Sequence, residues 1–132
     1  MLEKKRILII DDEPDAIAFS EAMLSEIGDF EIETAINGLE GLKKAESVNP
    51  DLIILDVQMP EMNGFDVFNS LKKNPDLDMI PIVMLTGIES KTGLHFNAKD
   101  MGVFLGTEPN AYVAKPVEPE KFISTVKSVL GL

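Results

Sequence analysis

The chain has 132 residues, 45% of them hydrophobic, which suffices for one buried core and not for two. Its 23 acidic against 12 basic residues give a net charge of −11, which repels phosphate backbones and anionic lipid heads and weighs against nucleic acid or a membrane surface as a partner of this domain. The absence of cysteine excludes disulfides and thiolate chemistry, and the apolar run Ile7 to Ile10 is too short for a signal peptide or a membrane span. The expectation is a single cytoplasmic domain over residues 1–132.

Lys4-Lys5-Arg6 leads into Ile7-Leu8-Ile9-Ile10, a run without polar alternation that reads as a strand buried on both faces and stops at Asp11-Asp12. Pro14 suits the first turn of a helix, and Ala16, Ile17, Phe19, Met23, Leu24 and Ile27 recur at helical spacing up to Gly28, a C-cap residue. Phe30 to Ala35 alternates apolar and polar, as a half-exposed edge strand does. Asn37-Gly38 marks a turn, and Leu39, Leu42, Ala45 and Val48 stripe a second helix that ends near Asn49-Pro50.

Leu52-Ile53-Ile54-Leu55 is a second doubly buried strand, and it runs straight into Asp56. Turn signals at Met59-Pro60 and Asn63-Gly64 precede a helix striped by Phe65, Phe68 and Leu71, with Lys72-Lys73 opposing the dipole at its end. Ile80 to Leu85 forms the next strand, ending at Thr86. Residues 87–110 are interrupted by four glycines and Pro109, and the weak pattern through Phe96, Ala98 and Met101 predicts one helix and a long loop. Ala111 to Ala114 is a short last strand ending at Lys115-Pro116, and Phe122, Ile123, Val126, Val129 and Leu130 stripe a closing helix.

Five strand-helix repeats with right-handed crossovers predict an α/β fold, a doubly wound five-stranded parallel sheet covered by helices on both faces. The strand order that fits is 2-1-3-4-5, whose switch point lies between the first and third strands. Asp11, Asp12 and Asp56 are the tips of those two strands. Three carboxylates in one crevice repel one another, and a divalent cation relieves that repulsion. An all-oxygen set without cysteine or a nearby histidine favours Mg²⁺, with the Gln58 main-chain carbonyl as a candidate further ligand. The other strand tips bring a hydroxyl, Thr86, and an ammonium, Lys115, to the same edge. Singly, each residue has a duller role, as helix cap, strand terminus or solvated charge. Together they describe a phosphoryl-transfer site in which Asp56 is the nucleophile.

These residues resemble the receiver domain of two-component response regulators, the CheY-like superfamily. The motifs Ile7-Leu8-Ile9-Ile10-Asp11-Asp12-Glu13-Pro14-Asp15, Leu55-Asp56-Val57-Gln58-Met59-Pro60-Glu61-Met62-Asn63-Gly64, Leu85-Thr86-Gly87 and Tyr112-Val113-Ala114-Lys115-Pro116 stand in family order and span nearly the whole chain. The resemblance implies a flavodoxin-like receiver fold, with Asp56 as phosphoacceptor, Asp11, Asp12, Asp56 and the Gln58 carbonyl around Mg²⁺, and Thr86 and Lys115 contacting the phosphoryl group. It further implies a cis peptide between Lys115 and Pro116, and a switch in which Thr86 moves and Tyr112 turns inward. That switch remodels the face made by the 87–110 helix, the last strand and the closing helix. The implied partners are a sensor histidine kinase or histidine phosphotransfer protein, a downstream target or output domain, and a second copy in a phosphorylation-dependent homodimer.

One departure from the family pattern is the stretch between Thr86 and Tyr112, several residues longer than usual. Val103 to Asn110 reads as a surface loop, or as a contact exposing Phe104 and Leu105 to a partner. His95, the only histidine, reads as a surface residue, and Ile88 joins Gln58 and Glu61 around the site. An enzyme of the haloacid-dehalogenase type is the rival reading. It would place its nucleophile on the first strand with a second Asp two residues on, whereas Asp11 is followed by Asp12 and Glu13.

Overall fold

The computed structural model describes residues 4–87 and 111–132. The elements in chain order are β1 (Arg6–Ile10), α1 (Pro14–Ile27), β2 (Glu31–Ala35), α2 (Gly38–Val48), β3 (Leu52–Asp56), α3 (Gly64–Lys73), β4 (Ile82–Gly87), β5 (Ala111–Lys115) and α4 (Pro119–Leu130). The helix and loop expected within 87–110, with Ile88, His95, Phe104 and Leu105, lie outside the described residues.

The five strands form one parallel sheet in the order β2-β1-β3-β4-β5, the expected doubly wound arrangement. Alternate side chains of each strand enter opposite layers. Leu8, Ile10, Ile53, Leu55, Ile82 and Met84 pack with Ala45 of α2 and Val67, Phe68 and Leu71 of α3. Ile7, Ile9, Leu52, Ile54, Val83 and Leu85 pack with Ile17, Met23 and Leu24 of α1 and Phe122 and Val126 of α4. All five residues of β3 are buried, which is why its sequence carries no polar alternation. The edge strand β2 is only partly covered, as its alternation requires.

The two Asn-Gly pairs do not make turns. Asn37 and Asn63 are N-caps whose side chains accept from the Glu40 and Asp66 amides, and Gly38 and Gly64 are the first helical residues. At Asn63 the bond is reciprocal, because Asp66 Oδ2 accepts from the Asn63 amide, a capping box. The glycines of α2 serve close approach to neighbouring segments. A Cβ at Gly38 would come 2.8 Å from Met62 Cγ and Val67 Cγ2. One at Gly41 would come 2.6 Å from Ile10 Cδ1.

The apolar stripe expected on α2 is therefore displaced. Gly38, Gly41 and Ala45 are buried, while Leu39 is exposed. Small residues let the helix lie close to β1, and a large side chain at those positions would hold it off. On α1, Phe19 likewise stays exposed while Ile17, Met23 and Leu24 are buried. Gly28 does cap α1, donating to Leu24 O, but in an extended conformation.

Candidate functional site

Parallel pairing aligns the carboxyl ends of β1, β3, β4 and β5 on one edge of the sheet. Ile10 pairs with Leu55, Asp56 with Leu85, Thr86 with Ala114 and Gly87 with Lys115. The residues immediately beyond or at those ends, Asp11, Asp12, Asp56, Thr86 and Lys115, are thereby brought to one crevice. Carboxylate oxygens of Asp11, Asp12 and Asp56 lie within 4.8 Å of one another. Asp11 and Asp56 are almost wholly buried, Asp12 half-buried.

Each acid is held differently. Asp11 Oδ1 accepts from the Glu13 amide at 3.0 Å, fixing the turn into α1, and its Oδ2 lies 3.8 Å from Lys115 Nζ. Asp56 Oδ1 lies 2.7 Å from Lys115 Nζ, a charge-assisted hydrogen bond. Among the described residues, Asp11 Oδ2, Asp12 Oδ1 and Thr86 Oγ1 are buried without a hydrogen-bond partner. Such atoms are costly to bury. Three of them at one crevice mark a site with unused hydrogen-bonding capacity.

Burial pushes the Asp56 carboxyl up from 3.8 to about 6, aided by the charges of Asp11 and Asp12 and opposed by Lys115. Burial also raises Asp11, against its bond from the Glu13 amide and the charge of Lys115. For Lys115, burial alone would lower the ammonium. The hydrogen bond to Asp56 and the charges of Asp56, Asp11 and Glu13 outweigh it, and the net direction is up.

Gln58 lies in the loop between β3 and α3 with its side chain exposed. That loop is closed at its base, since the Gly64 amide donates to Val57 O at 2.8 Å and the Val57 amide to Leu85 O at 3.1 Å. The Lys115–Pro116 peptide is cis. Tyr112 is half-buried and packs against the layer containing α2 and α3.

A family model for the response regulator receiver domain matches residues 7–127. The chain belongs to the response regulator receiver domain family. Among curated relatives, it is 36% identical over 126 residues to the alkaline phosphatase synthesis transcriptional regulatory protein PhoP of Bacillus subtilis, covering 96% of this chain and 48% of that protein. It is 36% identical over 133 residues to the "Probable transcriptional regulator ycf27" of Cyanophora paradoxa, covering 98% and 49%. The receiver spans about half the length of the curated relatives it matches. Among solved structures, the chemotaxis protein CheY4 of Vibrio cholerae superimposes with a TM-score of 0.79 at 31% identity, over 96% of this chain and 99% of that one. The receiver domain of a signal transduction histidine kinase from Syntrophus aciditrophicus does so at 0.79 and 32%, over 96% and 90%.

The receiver is thus a signalling module of two-component signal transduction, and its acidic pocket fits a phosphoacceptor. No helix among the described residues is long and apolar enough to cross a membrane. Sequence reasoning named all the charged groups of the site but assigned no role to Gly64, whose surroundings only the fold reveals.

Proposed function

We propose that Asp56 accepts a phosphoryl group from a phosphohistidine of a sensor histidine kinase or histidine phosphotransfer protein, with Asp11, Asp12, Asp56 and the Gln58 carbonyl holding Mg²⁺. The observation that carries this reading is the meeting of three carboxylates with Lys115, while Asp11 Oδ2 and Asp12 Oδ1 stay buried without a hydrogen-bond partner among the described residues. An all-oxygen donor set with carboxylate oxygens that accept no hydrogen bond suits a hard divalent cation. Bound there, Mg²⁺ would supply positive charge against the carboxylates and the phosphoryl oxygens.

The chain's own residues do the rest. With a pKa of about 6, Asp56 is mainly the carboxylate at neutral pH and so a nucleophile. One of its oxygens forms the new bond to phosphorus as the donor's N–P bond breaks, and the electron pair returns to the imidazole. Lys115, already 2.7 Å from Asp56, neutralises charge on the transferred group. The Thr86 hydroxyl, without a hydrogen-bond partner among the described residues, donates to one of its oxygens.

The product is a stoichiometric acyl phosphate, with no turnover of an external substrate. Residues 1–132 act as one cytoplasmic receiver domain. Thr86 and Tyr112 carry the switch to the face built from residues 87–110, β5 and α4, which a downstream target, an output domain or a second copy reads. The charge of −11 assigns no nucleic-acid contact to this domain.

Borohydride reduction tests the chemistry. Protein treated with a phosphodonor and Mg²⁺ should yield homoserine at position 56, because the reagent reduces an acyl phosphate and spares free carboxylates. Homoserine at another position, or a phosphoryl group resistant to reduction, would refute the assignment.

A further inference from the structure

Gly64 stands eight residues beyond Asp56, yet the fold presses it against the nucleophile's own backbone. A Cβ built there would collide with the Asp56 carbonyl oxygen, come 2.7 Å from Val57 Cα and 3.1 Å from the Asp56 carbonyl carbon. All three neighbours are main-chain atoms of the strand end that carries Asp56. At Gly38 and Gly41, by contrast, the atoms in the way are side-chain atoms of Met62, Val67 and Ile10, and of these the flexible Met62 can rotate aside. The backbone at Asp56 and Val57 has no such freedom, being tied to β4 by the Val57 amide bond to Leu85 O. Gly64 also donates to Val57 O at 2.8 Å, closing the loop that contains Gln58. Its conformation is not left-handed, so what the position requires is the missing side chain rather than an unusual φ.

We infer that Gly64 is a positioning residue for phosphoryl transfer: its bare Cα lets α3 seat against the Asp56–Val57 backbone and sets the Asp56 carboxylate and the Gln58 carbonyl relative to Asp11 and Asp12. The inference deepens the phosphoacceptor reading and rests on it. A methyl group at this point displaces the strand end or lifts α3, and either movement spreads the ligand set. Displaced supporting residues around a metal site typically weaken affinity about 10- to 100-fold.

The test compares Gly64→Ala with Val126→Ala, a cavity substitution in the opposite layer, by thermal unfolding, Mg²⁺ titration calorimetry and the rate of phosphorylation by acetyl phosphate. Both variants should lose stability. Only Gly64→Ala should weaken Mg²⁺ binding, by about 10-fold or more, and slow phosphorylation at saturating Mg²⁺. Mg²⁺ affinity within about twofold of wild type in folded Gly64→Ala, or an equal loss in Val126→Ala, would overturn the inference.

Should Gly64→Ala fail to fold, Asn63→Ala takes its place. It unties the capping box at the start of α3 without adding an atom, and should weaken Mg²⁺ about threefold or more; unchanged affinity would overturn the inference. Wild type that binds Mg²⁺ but takes no phosphoryl group would sink the phosphoacceptor reading alone, because the Mg²⁺ comparison reads the positioning role independently.

Discussion

Replacing Asp56 with Asn should stabilise the metal-free protein, and the gain should depend on pH. Asp56 is 2% exposed, and burial together with Asp11 and Asp12 raises its carboxyl from 3.8 to about 6. A carboxyl whose folded pKa lies above its unfolded value favours folding while protonated. That contribution is complete below about pH 4 and is lost as pH rises through about 6. The gap between 3.8 and about 6 is worth about 3 kcal/mol at neutral pH and above.

Asn keeps the shape and carries no charge to desolvate, so Asp56→Asn should be more stable than wild type at pH 8 by up to about 3 kcal/mol. The figure is already net of the ion pair with Lys115, which lowers the Asp56 pKa and which Asn lacks. In a domain of this size the gain corresponds to roughly 10 °C in Tm. The difference should shrink towards zero near pH 4. Urea unfolding followed by circular dichroism in EDTA, at steps between pH 4 and pH 8, measures it. A difference between the two proteins that does not vary with pH, or a wild type that gains stability relative to Asp56→Asn as pH rises, would refute the reasoning.

Other outcomes follow from the same geometry. Asp12→Asn should weaken Mg²⁺ affinity about 10-fold or more by calorimetry while leaving the fold intact, since Asp12 is half-buried and its Oδ1 has no hydrogen-bond partner among the described residues. Lys115→Ala removes the ammonium 2.7 Å from Asp56; the Asp56 carboxyl should titrate still higher by NMR, and phosphorylation by a small donor should slow by about 100-fold. Phe122→Ala empties a fully buried site in the layer shared by α1 and α4 and should cost about 3–5 kcal/mol in urea unfolding, with little change in Mg²⁺ affinity of the folded protein.

The parts of this fold that sequence reveals are those in which one residue's chemistry decides its place. Ile7 to Ile10 and Leu52 to Leu55 are apolar throughout because both faces of a central parallel strand are covered, and each stops where a carboxylate reaches the crevice. Strand order then followed from connection rules, and with it the meeting of Asp11, Asp12, Asp56, Thr86 and Lys115. Features that depend on how closely two segments approach were not legible. Asn37-Gly38 and Asn63-Gly64 look like turns, yet both are helix starts, because the glycines are selected by packing against Met62, Val67 and the Asp56 backbone. Leu39 looks like a core residue of α2, but the face turned inward is that of Gly38, Gly41 and Ala45. Glu61 adopts a left-handed conformation, with φ of 65°, in the loop over the site, and its side chain gives no hint of that.

The central claim is that Asp56 is the acceptor and that its acidic neighbours act through Mg²⁺. Intact mass after incubation with acetyl phosphate, for wild type and Asp56→Asn, with Mg²⁺ and with EDTA, tests it most directly. The account predicts one added phosphoryl group in wild type with Mg²⁺, and none in the variant or in EDTA. An adduct that persists in Asp56→Asn, or forms equally well without metal, would contradict it.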